Sequence, residues 1–231
     1  MTKAKNRPLL DLLISIVIPS IILMRFSGDA NLGAVNGLIV ALAFPFCYGL
    51  FELLAHKKFN FISLLGVISV LLTGGIGLLE MDPKWLAVKE AAVPLVIGLV
   101  VLGSLKTPYP LIKTFLYNPA LIDIKGVDLA LEGKGNKAEF DQRLTRATYF
   151  LSATFLFSAT LNYFLARYIV TSPAGTEAFN EELGRLTLVS YPVIALPSMF
   201  FLLGILFWLI RSVLKLSGLP LEKVMPQLAE E

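Results

Sequence analysis

Apolar segments of about twenty residues constrain the fold of this chain more than any other feature. Residues 85–105 form a segment of about 21 residues, which at about 1.5 Å of rise per residue crosses a hydrocarbon core of about 30 Å. Five further segments resemble it, namely residues 8–24, 32–54, 59–79, 148–169 and 186–210. Because lipid cannot satisfy backbone polar groups, these segments predict an all-α membrane protein, a six-transmembrane-helix bundle.

Composition supports a lipid environment. Hydrophobic residues make up 56% of the chain and charged residues 16%, whereas soluble domains are about a quarter charged. The net charge of +3 comes from basic residues that lie between the apolar segments, so we expect the lipid bilayer and no nucleic acid as a partner. The single cysteine, Cys47, has no partner for a disulfide or a Cys/His metal site. We therefore expect no metal and no cofactor.

The basic residues predict the orientation. If the segments alternate in direction, most lysines and arginines fall on one side of the membrane. Four fall on the other side, namely Arg25, Lys84, Arg167 and Arg185. By the positive-inside rule we predict a multi-pass protein with both termini in the cytoplasm, N-in and C-in.

The connections between the segments differ in length. Residues 80–84 are so few that the third and fourth helices must be antiparallel. The longest polar stretch, residues 118–146, is interpreted as a loop with a helical lead-in over 136–146, and not as a separate domain. We therefore expect a single integral membrane domain over residues 1–231. Residues 171–184 are interpreted as an exposed loop.

A helix of another kind is predicted after the fourth segment. Pro108 and Pro110 end the spanning helix, because proline removes a backbone donor and restricts the residue before it. The apolar residues that follow have the spacing of an amphipathic helix, and they are Leu111, Ile112, Phe115 and Leu116. We predict that this interfacial helix lies between transmembrane helices 4 and 5, with these four side chains toward lipid.

Polar residues inside the spanning segments share one depth. Counted from the helix ends, they lie in the outer third of the bilayer, and they are Asn36, Lys89, Glu90, Asn162 and Tyr191. Pro19, Gly74-Gly75 and Pro192 should break helices at a similar depth, which is tolerated where a helix lines a cavity. These residues predict a polar crevice that opens outward. In the alternative, Lys89 extends its ammonium group to the headgroups and no crevice exists.

Within this cluster, Lys89 and Glu90 are expected to differ in role. Neighbouring helix residues point about 100° apart, so Glu90 is expected to meet headgroups while Lys89 faces the interior. There the Asn162 amide and the Tyr191 hydroxyl would hold the lysine charge. Small residues at four-residue spacing in the third segment, Ser69, Thr73 and Gly77, are interpreted as a helix-packing strip.

Motifs of catalysis and phosphate binding are absent from the sequence, and we expect that the protein is not an enzyme. The single histidine, His56, precedes Lys57 and Lys58, where contact with anionic headgroups is favoured over catalysis.

Short motifs resemble a known family. They are Leu9-Leu10-Asp11 in the first segment, Trp85 and Lys89 in the fourth, Pro110-Leu111-Ile112 after it, and Leu161-Asn162 in the fifth. In order and spacing they resemble the intracellular septation protein A family over most of residues 9–169. A longer cytoplasmic loop, residues 118–140, and a longer outer loop indicate a distant branch. The resemblance implies a bacterial inner (plasma) membrane, no known catalytic activity, and protein partners in envelope synthesis or division.

Two functions follow from the sequence. The first is a non-enzymatic membrane protein that supports envelope organisation or division. The alternative is a small-solute transporter with an outward-facing polar site formed by helices 2, 4, 5 and 6. The sequence leaves the oligomeric state open, and a second copy of this chain is one candidate partner.

Overall fold

The computed structural model describes residues 12–55, 61–107, 111–112, 117 and 122–225. Every regular element among these residues is a helix. We number them α1 (Leu13–Phe26), α2 (Gly33–Ala55), α3 (Phe61–Leu78), α4 (Lys84–Gly103), α5 (Ile124–Gly133), α6 (Lys137–Ile169), α7 (Glu177–Ser217) and α8 (Leu221–Val224). A short 3₁₀ turn, Ser104–Lys106, extends α4.

Four helices in the described part of the chain are long and apolar enough to cross a membrane. They are α2, α4 with its 3₁₀ extension, α6 and α7, while α1 and α3 are shorter apolar helices. Many large apolar side chains on these helices are exposed, including Phe51, Phe164 and Phe200. Such a surface belongs in lipid rather than in water. The all-helical membrane class is thus confirmed, whereas six spans and the N-in, C-in orientation remain predictions.

Prolines distort α1 and α7. The first helix begins with a π-helical segment, Leu13–Val17, just before Pro19, and α7 contains a second one, Tyr191–Ala195, just before Pro197. A proline ring clashes with the carbonyl group four residues earlier, and both carbonyl groups belong to these π-helical segments. The wider π turn relieves that clash without ending the helix.

The predicted helix breaks therefore take another form. Pro19 follows a π-helical segment and Pro192 lies inside the second one, while both helices continue. At Gly74-Gly75 the prediction is wrong, because α3 runs through both glycines. Glycine, unlike proline, keeps its backbone N–H, so two glycines weaken the helix without breaking it.

The chain divides into two compact units. Unit 1 comprises Met1–Val93 and Ala159–Ala195, and unit 2 comprises Pro94–Ser158 and Leu196–Glu231.

In unit 1, α1 packs against α2 and the first part of α7, and α2 packs against α3. Gly184 permits the contact between α1 and α7, since a Cβ atom there would lie 2.9 Å from the Ser20 carbonyl oxygen. Asn180, which is buried, donates its amide protons to Ser27 Oγ at 3.0 Å and to the Ala34 carbonyl oxygen at 2.7 Å. These contacts fix α7 on α1 and on the start of α2.

The start of α7 corrects the prediction for residues 171–184. Only the first part of that stretch is a connection, because α7 begins at Glu177 behind Thr176, whose hydroxyl oxygen accepts the Phe179 N–H at 3.2 Å. Phe179 and Leu183 are buried one turn apart, so this polar stretch has an apolar face. The charged residues on its other face concealed the amphipathic pattern.

Unit 2 holds the polar stretch before the fifth segment. The helical lead-in predicted over residues 136–146 is the start of α6, which begins at Lys137, but α5 lies where a loop was expected. Asp123 caps α5, its carboxylate accepting the Gly126 N–H, and its own N–H donates to the Val224 carbonyl oxygen at 2.9 Å. The buried face of α5 joins a core with Phe140 of α6, so residues 122–146 are a folded part of unit 2.

In unit 2, α6 packs closely on α4 at Ser152. The Ser152 hydroxyl donates to the Gly98 carbonyl oxygen at 2.9 Å, across from α6 to α4. A Cβ atom at Gly98 would lie 3.0 Å from Phe155 Cβ. The missing side chain therefore lets the two backbones approach.

Of the four apolar residues in the predicted interfacial helix, the structure describes Leu111 and Ile112. Leu111 and Ile112 are helical, and Ile112 is fully buried, at 0% exposure, in the core of unit 2 rather than facing lipid. Packing against Val101 and Phe140 gives this side chain an apolar environment inside the protein, so the predicted lipid contact is wrong for Ile112. Leu111 is half-buried, and Phe115 and Leu116 lie outside the described residues, as do residues 9–11, His56 and Pro110.

Candidate functional site

Lys89 is a buried cation in unit 1. It lies in the second turn of α4, and 8% of its side chain is exposed. A charged side chain inside a membrane helix costs roughly 2.5–3.5 kcal/mol at the bilayer centre, and such side chains face a protein interior or a cavity. The surroundings of Lys89 must offset that cost.

Three acceptors surround the Lys89 ammonium group. The Nζ atom donates to Thr73 Oγ1 at 2.8 Å and to Ser69 Oγ at 3.2 Å, both on α3, and lies 2.7 Å from Glu90 Oε1. An ammonium group carries three donors, so these contacts match its full capacity. The Thr73 hydroxyl donates in turn to the Ser69 carbonyl oxygen at 3.0 Å, which orients its oxygen toward Lys89. The lysine is thus held by a fixed network.

Glu90 pairs with Lys89 instead of pointing away from it. The side chain of Glu90 is 29% exposed, and both residues line one cavity. The helical angle of about 100° separates their Cβ atoms, but both side chains are long enough to meet beyond the helix surface. The expectation that Glu90 faces headgroups therefore differs from the structure.

The cavity beside this pair has a volume of about 270 Å³ and lies entirely in unit 1. Asn162 of α6 lines it, as do Thr187 and Ser190 of α7 and Ser15 of α1. Its apolar wall includes Leu23, Leu42, Val70, Leu183 and Leu186. The site thus combines one ion pair with hydroxyl and amide groups inside an otherwise apolar region, a pattern typical of small-molecule sites.

One π-helical segment lines this cavity, and the other begins directly after a residue that lines it. Ser15 belongs to the segment of α1, and Ser190 directly precedes the segment of α7. Single π turns inside helices occur frequently at functional sites, because they shift side chains out of regular register. The distortions thus occur where α1 and α7 present hydroxyl groups to the cavity.

The structure brings together three of the five predicted cluster residues, Lys89, Glu90 and Asn162, as cavity-lining groups. Asn36 lies elsewhere, since it is exposed and its amide donates to the Leu32 carbonyl oxygen at 3.1 Å. Tyr191 is 44% exposed and does not line the cavity. These two residues were grouped with the others by their depth in the membrane. Depth does not determine on which face of its helix a side chain lies.

Ser69, Thr73 and Thr187 are site residues that the sequence interpretation missed. Ser69 and Thr73 were treated as packing positions, although two hydroxyls four residues apart share a helix face and suit one cation. Helix α3 was therefore omitted from the predicted site, as was α1, which contributes Ser15.

Two polar clusters lie outside the spanning helices. Before α4, hydrogen bonds from the Lys84 backbone and side chain lower the pKa of the Asp82 carboxyl. In unit 2, burial raises the pKa of the Tyr117 hydroxyl, and so does the Asp128 carboxylate. Asp128 accepts a hydrogen bond from this hydroxyl at 3.0 Å and also pairs with Lys137. Within the described part of the chain, no group of three or more His, Cys, Asp or Glu residues is placed to hold a metal ion.

Comparisons with protein-family models, with curated proteins and with solved structures find no match for this chain. The resemblance to the septation protein A family thus stays a prediction.

Proposed function

We propose that this chain is a small-solute transporter of the membrane, with its binding site in the cavity beside Lys89 and Glu90. The observation that carries the proposal is the buried Lys89 ammonium group, held by Glu90, Ser69 and Thr73 at the wall of that cavity. A scaffold of packed apolar helices has no need of this ion pair.

The energetics favour a functional role for the pair. Removing two charges from water costs several kcal/mol per ion, and apolar residues of similar size often stabilise a helix bundle equally well. A buried pair that lines a cavity therefore indicates selection for binding rather than for stability.

The cavity size limits the solute. Pockets that hold drug-sized ligands measure about 300–1,000 Å³, and this one measures about 270 Å³. Paired charges with hydroxyl and amide neighbours suit a small solute that carries a carboxylate, an ammonium group or both. Since Lys89 already has three partners, a solute carboxylate would replace Glu90 beside it. The apolar wall accommodates a short aliphatic portion.

Uptake into liposomes tests this proposal. The purified chain is reconstituted, and uptake of labelled glycine, alanine, acetate and lactate is measured against empty liposomes. We expect saturable uptake of at least one solute, lost in Lys89→Met and retained in Lys84→Met. Lys84 is the matched control, since it is an exposed lysine at the start of the same helix. Equal uptake by wild type and Lys89→Met would contradict the proposal.

A second candidate is a non-enzymatic role in envelope organisation or division. It is supported by the folded polar part of unit 2, where α5 carries Leu129 with its side chain 71% exposed. An exposed leucine on a small helix, among charged residues, suits contact with a protein partner. Deletion of the gene should then alter cell length or septum placement, and Leu129→Asp should reproduce the change at normal abundance. Normal cells after deletion would argue against this role.

A further inference from the structure

An apolar groove runs between α6 and α7 in unit 2. Its volume is about 490 Å³, and its walls include Phe150, Ala153 and Phe157 from α6 and Phe201, Gly204 and Trp208 from α7. Two edge-to-face ring pairs set the register of the walls, Phe150 with Trp208 at 6.0 Å and Phe157 with Phe201 at 5.4 Å between centroids. The size falls within the range of about 300–1,000 Å³ that is typical of ligand sites.

Gly204 forms part of the groove floor. A Cβ atom built there would meet no heavy atom within 4 Å. Glycine is therefore not required for helix packing at this position, and the open space above it belongs to the groove.

Basic residues lie at one end of the groove. Arg146 precedes Phe150 by one turn on α6, and Arg211 and Lys215 follow Trp208 on successive turns of α7. All three are exposed and continue the helix stripes that line the groove. The hydrogen bond from Arg143 to Ser212 Oγ, at 3.1 Å, joins the two helices at this level. The groove is thus apolar along its length and cationic at its end.

We propose that the groove binds one anionic phospholipid, with an acyl chain along the aromatic walls and its phosphate between Arg146 and Arg211. Charge decides the occupant, because a second apolar helix would leave both guanidinium groups without an anion. Arg211 would keep only its contact with the Phe207 ring, whose centroid lies 5.5 Å from the Cζ atom. Arginine is suited to this contact, since its planar guanidinium group can donate two hydrogen bonds to a phosphate. Both arginines lie just outside the apolar segments, at the level where headgroups are found.

Native mass spectrometry of the full chain tests this site. The protein is released from detergent after incubation with phosphatidylglycerol or phosphatidylcholine of identical acyl chains. Wild type should retain phosphatidylglycerol preferentially. Since a basic residue near an anionic surface contributes about fivefold in binding, Arg146→Gln with Arg211→Gln should reduce that preference about 25-fold. Arg25→Gln with Arg185→Gln, which also removes two exposed arginines, should leave the preference unchanged.

The groove itself is tested by Gly204→Leu, which should fill the floor and reduce retention of both lipids. Gly66→Leu is the matched control, because Gly66 is an exposed helical glycine whose Cβ also meets open space. Equal retention of the two lipids by wild type, or an unchanged preference after loss of both arginines, would overturn the proposal. A wild-type dimer that Gly204→Leu dissociates without any change in lipid retention would assign the groove to a second copy instead.

Discussion

The ion pair between Lys89 and Glu90 should have a coupling energy that a double-mutant cycle can measure. The two side chains are 8% and 29% exposed, so the pair lies between an exposed pair and a fully buried one. Exposed pairs contribute up to about 1 kcal/mol, and losing one partner of a buried pair costs about 3–5 kcal/mol. We therefore expect Lys89→Met and Glu90→Gln each to lower the free energy of unfolding by roughly 2–3 kcal/mol.

The double variant should lose about 1.5–3 kcal/mol less free energy of unfolding than the two single variants lose together. The reason is that neither charge is then left unpaired. The assay is reversible unfolding in mixed micelles, followed by helical circular dichroism. The Asp82–Lys84 pair is the control, since both side chains are about half exposed and its coupling should stay below about 1 kcal/mol. Additive effects at Lys89 and Glu90, within about 0.5 kcal/mol, would refute the network described here.

Three further predictions concern stability. Gly184→Ala should destabilise the chain by about 1–3 kcal/mol in the same unfolding assay, because the new Cβ meets the Ser20 carbonyl oxygen; a stability equal to wild type would contradict that contact. Asn180→Ala should cost about 1–3 kcal/mol by removing one buried and one partly buried hydrogen bond, and a loss below about 0.5 kcal/mol would count against them. The Tyr117 pKa is raised above 10.0, so the folded state resists ionisation and loses stability as the pH rises above about 10. Tyr117→Phe should show a smaller loss between pH 9 and about 11, and an unchanged pH profile would exclude Tyr117 as the cause.

Much of the helical framework follows from the sequence because hydrocarbon imposes a minimum helix length. The fourth segment was predicted at residues 85–105, and α4 with its 3₁₀ turn covers Lys84–Lys106. A polar stretch that packs against other parts of the protein outside the hydrocarbon core is not subject to this minimum length. Residues 177–184 form the first turns of α7 for that reason, and α5 occupies a predicted loop.

The site was predictable in part. Lys89 and Glu90 were identified because ionisable residues are costly inside apolar segments. Their partners Ser69 and Thr73 were missed, since a hydroxyl can also bond to its own helix and its partner depends on how α3 and α4 face one another. Asn36 was included wrongly as a neighbour, because its depth was known from the sequence but its helix face was not.

Thiol labelling of Thr187→Cys in a Cys47→Ala background shows whether water and small solutes reach the cavity beside Lys89. Thr187 lines that cavity, whereas the native Cys47 is exposed on the apolar surface of α2. A small charged methanethiosulfonate reagent should modify the cysteine at position 187 in membranes, from one face, faster than it modifies Cys47 in wild type. Modification no faster than at Cys47, from either face, would mean that the cavity is sealed, which would contradict a solute-binding site beside Lys89.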